Sequence, residues 1–229
     1  MIIGISGNIN SGKDTVASIL VYLYAVGKHK ATFRDWVIKK DAYYESYKHK
    51  ITHFAEGLKD TLSQILWIPR DLFDNRLYKD ELWYHPSTGK FIHEDDLKSN
   101  HVKYYDLDIK YNPFIDRNGV VKIRTLIQTY GEHMKKIFSE GVWVNNTIRK
   151  ASYIESIYKV CIIPDVRFQL EADAIMANGG IVIKINRPDN EITSNHCSEN
   201  NEIIGCQYVI ENDGTLQNLF YKILAIYDK

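Results

Sequence analysis

MIIGISGNINSGKDT opens the chain at residues 1–15. Residues 1–6 are apolar enough for a buried strand, and residues 11–25 carry a helical pattern. Between them, Gly7-Asn8-Ile9-Asn10-Ser11-Gly12-Lys13 fits the spacing G-x-x-x-x-G-K. Strand, glycine-rich turn and helix together form the context in which that spacing builds a phosphate cradle. The glycines let the backbone curl so that N–H groups converge, and the helix N-terminus adds partial positive charge. Lys13 supplies a point charge suited to β- and γ-phosphates. The plainer alternative is a strand-to-helix turn that happens to hold two glycines and a lysine. Agreement of both flanks with the pattern weighs against it.

The residue after the loop lysine departs from the usual Ser/Thr that holds Mg²⁺: it is Asp14, with Thr15 next. Mg²⁺ takes oxygen ligands and keeps several waters, so Asp14 can serve it directly or through water. Equally, a first-turn acid complements the helix dipole with no metal involved. The sequence leaves both readings open.

At 229 residues the chain can bury one substantial core, or one domain with an insertion. Lys+Arg and Asp+Glu both number 29, and this neutral balance argues against non-specific nucleic-acid or membrane binding. Cys161, Cys197 and Cys206 lack metal-ligand spacing, and Cys161 lies in an apolar run as a small core residue. Such usage suits a reducing cytosol, so a cytoplasmic location is expected. Residues 1–6 are too short for a secretory signal, and no apolar run approaches transmembrane length.

Strands and helices alternate, which predicts an α/β fold with a central, mostly parallel sheet flanked by helices. Strands are expected at residues 1–6, 50–54, 159–163, 181–185 and 208–211. Helices are expected at 11–25, 56–66, 123–138, 145–158, 170–177 and 216–227. Residues 69–121 read differently. They are rich in Tyr, Asp, Lys, His and Asn, their periodicity is poor, and they suggest an insertion in a single domain spanning 1–229. Within them, the His-Pro-Ser-Thr-Gly-Lys run from His85 signals a turn between two short strands. Residues 187–206 are polar and loop-like.

Several residues outside the loop can carry chemistry. Asp165 follows a buried strand, and ligands of open α/β sheets bind at that strand edge. There an acid can orient Mg²⁺ or accept a bond from a substrate hydroxyl. Arg167, two residues on, offers a planar fork for phosphate. A surface acid–arginine pair capping the next helix is the bland alternative. Arg124, Gln128 and Gly131 fall at i, i+4 and i+7, along one helical stripe. That stripe can present a guanidinium, an amide and a gap for close approach; spacing alone favours an ordinary solvated face. Lys59 is uninformative by itself. Arg187 follows the third inner strand and can stack on an adenine, and Asn212-Asp213-Gly214 is first a turn. His196-Cys197 is a weak nucleophilic pair, because such pairs rarely adjoin in sequence. Asp95-Asp96 and Lys39-Lys40 read as solvated charges. Tyr43, Tyr44, Tyr47, Tyr104 and Tyr105 read as packing aromatics more readily than base-stacking ones.

Taken in order, GNINSGKDT, FAEGLKDTL, RTLIQTYGEHM with VWVN, IIPDVRFQLEADAI, INRP, HCSE and ENDGTL resemble the deoxynucleoside monophosphate kinases of bacteriophages. The resemblance covers most of the chain outside residues 69–121. It implies a P-loop kinase fold with a monophosphate-binding region and a lid, the lid being the segment after Arg187. It implies that residues 7–15 hold the phosphates of ATP, with Asp14 a feature of the family. It implies that Lys59, Arg124, Gln128, Gly131 and Trp143 line the deoxynucleotide site and that Asp165, Arg167 and Glu171 complete it. Arg187 and the turn from Asn212 to Gly214 would border the adenine. The Arg124 stripe thus becomes functional by resemblance, and Arg76 or Lys79 of the insertion is expected to reach the substrate. A homodimer is the assembly implied.

The implied reaction converts ATP and a dNMP into ADP and a dNDP, with Mg²⁺ as cofactor. Phosphoryl transfer rests on positioning and charge compensation, which suits Lys13, Arg124 and Arg167 around two anions. Three other readings compete. A small-metabolite kinase of the dephospho-coenzyme A type would ignore every nucleoside monophosphate. A non-catalytic ATP switch would bind ATP without transfer. Polynucleotide end phosphorylation gains nothing from a neutral chain.

Overall fold

Apolar residues fill both parities of the strand segments, so their sheet must be covered on both faces. The computed structural model describes residues 1–86, 89–93, 120–188 and 205–227, and divides into two compact units. Met1–Phe54 and Val144–Lys229 form the first; Ala55–Trp143 form the second.

The first unit contains β1 (Ile2–Gly7), α1 (Lys13–Val26), α2 (Phe33–Tyr47), and α5 (Val142–Tyr158) from its third residue onward. It continues with β4 (Cys161–Val166), α6 (Gln169–Ala177), β5 (Ile181–Asn186), β6 (Tyr208–Glu211) and α7 (Leu216–Tyr227). The four strands run in the order β4-β1-β5-β6, all parallel. Alternation sorts their side chains. Ile3, Ile5, Ile162, Ile183, Ile185 and Ile210 pack with Val16 and Leu20 of α1, Trp36 of α2 and Phe220 of α7. Ile2, Cys161, Ile163 and Val182 pack with Ile148 and Ala151 of α5 and Ala172 and Ile175 of α6. The expected central parallel sheet flanked by helices is the one observed.

Three local departures have physical causes. The strand expected at 50–54 contracts to one parallel bridge between Ile51 and Ile162, with the Thr52 N–H donating to the Ile162 carbonyl at 3.0 Å. Beyond it the Phe54 N–H turns to the Asp165 carboxylate at 3.4 Å and leaves the ladder. In β4 the strand runs past Pro164 to Val166, with a register shift against β1 between Gly4 and Ser6. A proline has no N–H for the ladder, so a bulge accommodates it. Helix α2 was not expected at all. Thr32 caps it, its hydroxyl accepting from the Asp35 N–H at 3.1 Å.

The second unit contains α3 (Glu56–Leu66), the hairpin strands β2 (Trp83–His85) and β3 (Lys90–Ile92), and α4 (Ile123–Ile137). The hairpin realises the turn expected after His85: Tyr84 pairs with Phe91, and the Gly89 N–H donates to the His85 carbonyl at 2.9 Å. Val121 bridges Tyr84 on its other edge. Leu58, Leu62, Ile68, Phe73, Tyr84, Ile123 and Leu126 form the core of this unit. A tight turn at Leu77–Glu81 follows, closed by the Leu82 N–H onto the Leu77 carbonyl at 3.0 Å.

Phe220 is fully buried, with the rings of Phe33 and Trp36 each 5.8 Å away. Phe220→Ala should lower unfolding free energy by about 3–5 kcal/mol, read as a lower urea midpoint at unchanged slope. Tyr153→Ala, at a side chain 67% exposed, should stay within about 0.5 kcal/mol of the parent.

Candidate functional site

Parallel strands put all their carboxyl ends at one edge of the first unit, where Gly7, Val166, Asn186 and Glu211 terminate β1, β4, β5 and β6. The glycine loop lies there. Gly7 has φ +152, and a Cβ on it would fall 2.5 Å from the Ile185 carbonyl oxygen. Gly12 has φ +103, and a Cβ there would fall 2.8 Å from the Asn212 amide nitrogen. Asn10 also takes a left-handed backbone, φ 60. Two glycines of the motif are therefore needed for space as well as conformation.

Side chains from the strand ends brace the loop. Asn212 Nδ2 donates to the Ser11 carbonyl at 2.8 Å, while the Asn212 N–H donates to the Asn186 carbonyl at 2.7 Å. Arg187 Nη1 donates to the Asn10 carbonyl at 3.2 Å. Lys13 Nζ lies over the loop, donating to the carbonyls of Gly7 at 2.7 Å and Asn8 at 2.6 Å. The Ser11 hydroxyl is buried with no hydrogen-bond partner among the described residues. Asp14 is exposed in the first turn of α1, beside the half-buried Thr15. Gly214 adjoins the start of α7, where a Cβ would fall 2.8 Å from Asn218 Nδ2. Such a loop can hold an anion through its amides and the lysine ammonium.

Asp165, Arg167 and Glu171 cluster at the end of β4. Glu171 Oε2 accepts from the N–H groups of Arg167 at 2.7 Å and Phe168 at 3.0 Å, tying down the start of α6. Its side chain is buried, and burial pushes its carboxyl up to about 7, with the nearby Asp165 adding to the rise. Those two backbone donors and the Arg167 charge oppose the shift. Glu171 is thus a helix cap in a dry place, whatever else it touches.

The other predicted residues fall in the second unit. Arg124 forms a two-pronged pair with Asp80, Nε to Oδ1 at 2.6 Å and Nη2 to Oδ2 at 2.9 Å. Lys59 bonds Asp74 Oδ1; Arg70 bonds Asp74 Oδ2 at 2.7 Å and Asp60 Oδ1 at 2.6 Å. Gln128 is exposed on α4. The gap at Gly131 is taken up inside this unit: a Cβ would meet Leu58 at 3.2 Å, and Trp143 Nε1 donates to the Gly131 carbonyl at 3.1 Å. Asp60, Asp74 and Asp80 were not singled out in the sequence, because nothing periodic marks a carboxylate that pairs across as many as 44 positions.

Tyr43 and Tyr47 stack at 6.0 Å on α2 and, with Tyr44, pack against the core of the first unit. The runs at 95–96, 104–105 and 196–199, and most of the segment 187–206, lie outside the described residues. Among the described residues no group of three or more His, Cys, Asp or Glu is placed to hold a metal. No helix among them is long and apolar enough to cross a membrane.

Comparison with known proteins adds two findings. A sequence model of the deoxynucleotide monophosphate kinases matches residues 70–223. A protein of Enterobacteria phage T4 named deoxynucleotide monophosphate kinase is 28% identical to this chain, across 97% of the chain and 96% of its own length.

The Glu171 shift fixes the sign of a stability effect. Its folded value, about 7, lies above the ordinary 4.5, so the folded state keeps the proton longer than the unfolded one. Stability from this group is therefore lost as pH rises between those values. Glu171→Gln keeps an oxygen for the two N–H groups and cannot ionise. The variant should melt higher than the parent above neutral pH and match it near pH 4, in thermal scans across that range.

Proposed function

Because the chain belongs to the deoxynucleotide monophosphate kinase family, which its match over residues 70–223 establishes, we propose that it transfers the γ-phosphoryl group of ATP to a deoxynucleoside monophosphate, with Mg²⁺, giving ADP and the diphosphate. The observation that carries this reading is the left-handed glycine loop with Lys13 folded over it, in a chain matched by that family. The loop from Gly7 to Thr15 takes the donor's triphosphate. Lys13 exchanges its carbonyl partners for β- and γ-oxygens, so its charge is already in position. Arg187 and Asn212 keep the loop in shape from below, and with Gly214 border the adenine.

Asp14 and the hydroxyl of Thr15 are hard oxygen donors on the first turn of α1, which fits the ligand chemistry of Mg²⁺. When bound, the ion neutralises charge on the donor's phosphate oxygens. The acceptor is held by Lys59 and Arg124, whose guanidinium edge away from Asp80 can receive a phosphate. Gln128 offers an amide to the base edge. Asp165, Arg167 and Glu171 border the substrate from the end of β4, and Trp143 steadies α4 through its bond to Gly131. An oxygen of the acceptor phosphate attacks the γ-phosphorus as the bond to the β-bridging oxygen breaks. That oxygen is already anionic near neutral pH, so no strong base is needed.

A coupled ADP-release assay over a panel of deoxynucleoside monophosphates tests the proposal; ATP binding without turnover on any of them would overturn it. Lys13→Ala should cut kcat by about 10²–10³ with unchanged circular dichroism. In the same assay, Arg124→Ala should raise KM for the monophosphate at least tenfold, by about 1.4 kcal/mol or more, while KM for ATP moves less than twofold.

A further inference from the structure

Among the described residues of the second unit, the half-buried cations Lys59, Arg70 and Lys135 pair with carboxylates, Lys122 meets a backbone carbonyl, and Lys79 does neither. Asp74 takes Lys59 and Arg70, Asp60 takes Arg70, and Asp80 spends both oxygens on Arg124. Lys79 is half-buried on the tight turn at Leu77–Glu81, next in sequence to Asp80. Its ammonium makes no hydrogen bond or ion pair among the described residues. The Asp80 carbonyl is taken as well, by Lys122 Nζ at 3.1 Å. Lys122 in turn lies over the Trp83 ring, 5.0 Å from its centre.

The surroundings of Lys79 are hostile to its charge. Burial comes first and the Arg124 guanidinium second in holding its ammonium below the usual lysine range. Lys59 adds to this, while Asp80 and Asp74 pull the other way. Asp80 and Asp74 are already committed to other cations, so they screen Lys79 without binding it. A charge set among like charges has a natural partner in an external anion of high charge density. Arg76 is the rival on the same stretch. It is exposed, and it is felt by Asp80 alone among these groups.

We propose that Lys79 is a third phosphate-binding residue of the acceptor site, its ammonium joining Lys59 and the outward edge of Arg124 on the phosphate dianion of the monophosphate, with Asp80 as the positioning residue that aims Arg124. This rests on the transfer reaction proposed above. The cluster then has a division of labour. Carboxylates fix the long side chains, and Lys79 contributes a charge that no carboxylate among the described residues binds.

The test begins with wild-type turnover of the monophosphate panel and continues with Lys79→Met and Lys79→Arg. Lys79→Met should raise KM for the monophosphate about tenfold, leave KM for ATP within twofold, and melt no lower than wild type. Lys79→Arg should restore most of the lost affinity. A pH series adds a readout that packing alone would not move. Wild-type KM for the monophosphate should climb at a pH below the ordinary lysine range, as the charged form is lost, and this rise should vanish in Lys79→Arg. Titration that persists in Lys79→Arg comes from another group, and counts against Lys79. Wild-type turnover with an unchanged KM in Lys79→Met overturns the inference and leaves the reaction standing. Equal increases in both KM values with a lowered melting point also overturn it, in favour of a packing role. Absence of wild-type turnover on every monophosphate overturns the reaction, and this inference with it.

Discussion

A carbonyl oxygen on β5 sits where the first loop glycine would carry a Cβ, at 2.5 Å. That single contact constrains the whole strand edge. The chain leaving β1 must curl hard across the end of β5, and only a residue without a side chain can make the passage. Asn10 and Gly12 continue the left-handed path into α1. The strain is shared out by bonds arriving from elsewhere: Asn212 from the end of β6 and Arg187 from the end of β5. The loop is thereby braced from two strand ends, and preorganised donors are worth more to a transition state than donors that must first be gathered.

The sheet beneath makes the loop possible. Because β4, β1, β5 and β6 are parallel, the residues that brace the loop and the residues of the Asp165 cluster share one edge. Because both faces are covered, the strands are rigid and their ends are fixed to within the tolerance of close packing. Pro164 adds a refinement. Its bulge shifts register against β1 just before Asp165, which frees that carboxylate to receive the Phe54 N–H. A strand that ran regularly through this point would aim residue 165 differently.

Much of this was legible in the sequence, for reasons that particular residues make plain. The bounds of α3, β6 and α7 follow from periodicity and from breakers such as Pro69 and Gly214. The loop was legible because its chemistry is local. Helix α2 was not, since Trp36 is its one fully buried side chain and its other packing residues are scattered aromatics. The Thr32-Phe33-Arg34-Asp35 start was a readable cap signal that went unused. The strand at 50–54 was over-read because its apolar residues serve two purposes: Ile51 joins the ladder and Phe54 fills the core beside α5. In the second unit, spacing alone made Arg124 look like a solvated face. Its partner Asp80 lies 44 residues away, and one sequence carries no trace of that pairing.

That pairing also bears on what an exposed ion pair is for. Arg124 is 53% exposed, so its bond to Asp80 adds little to stability. Its effect is directional. A flexible arginine loses much rotamer freedom when it must meet a ligand, and Asp80 removes that freedom in advance by gripping one edge of the guanidinium. Glu171 does the same for backbone, gathering the N–H groups of Arg167 and Phe168 onto one oxygen. In both cases a carboxylate neutralises part of the positive charge that an anion would seek. The net attraction then depends on cations left without such a partner. Lys79, which no carboxylate among the described residues binds, satisfies that condition in the second unit.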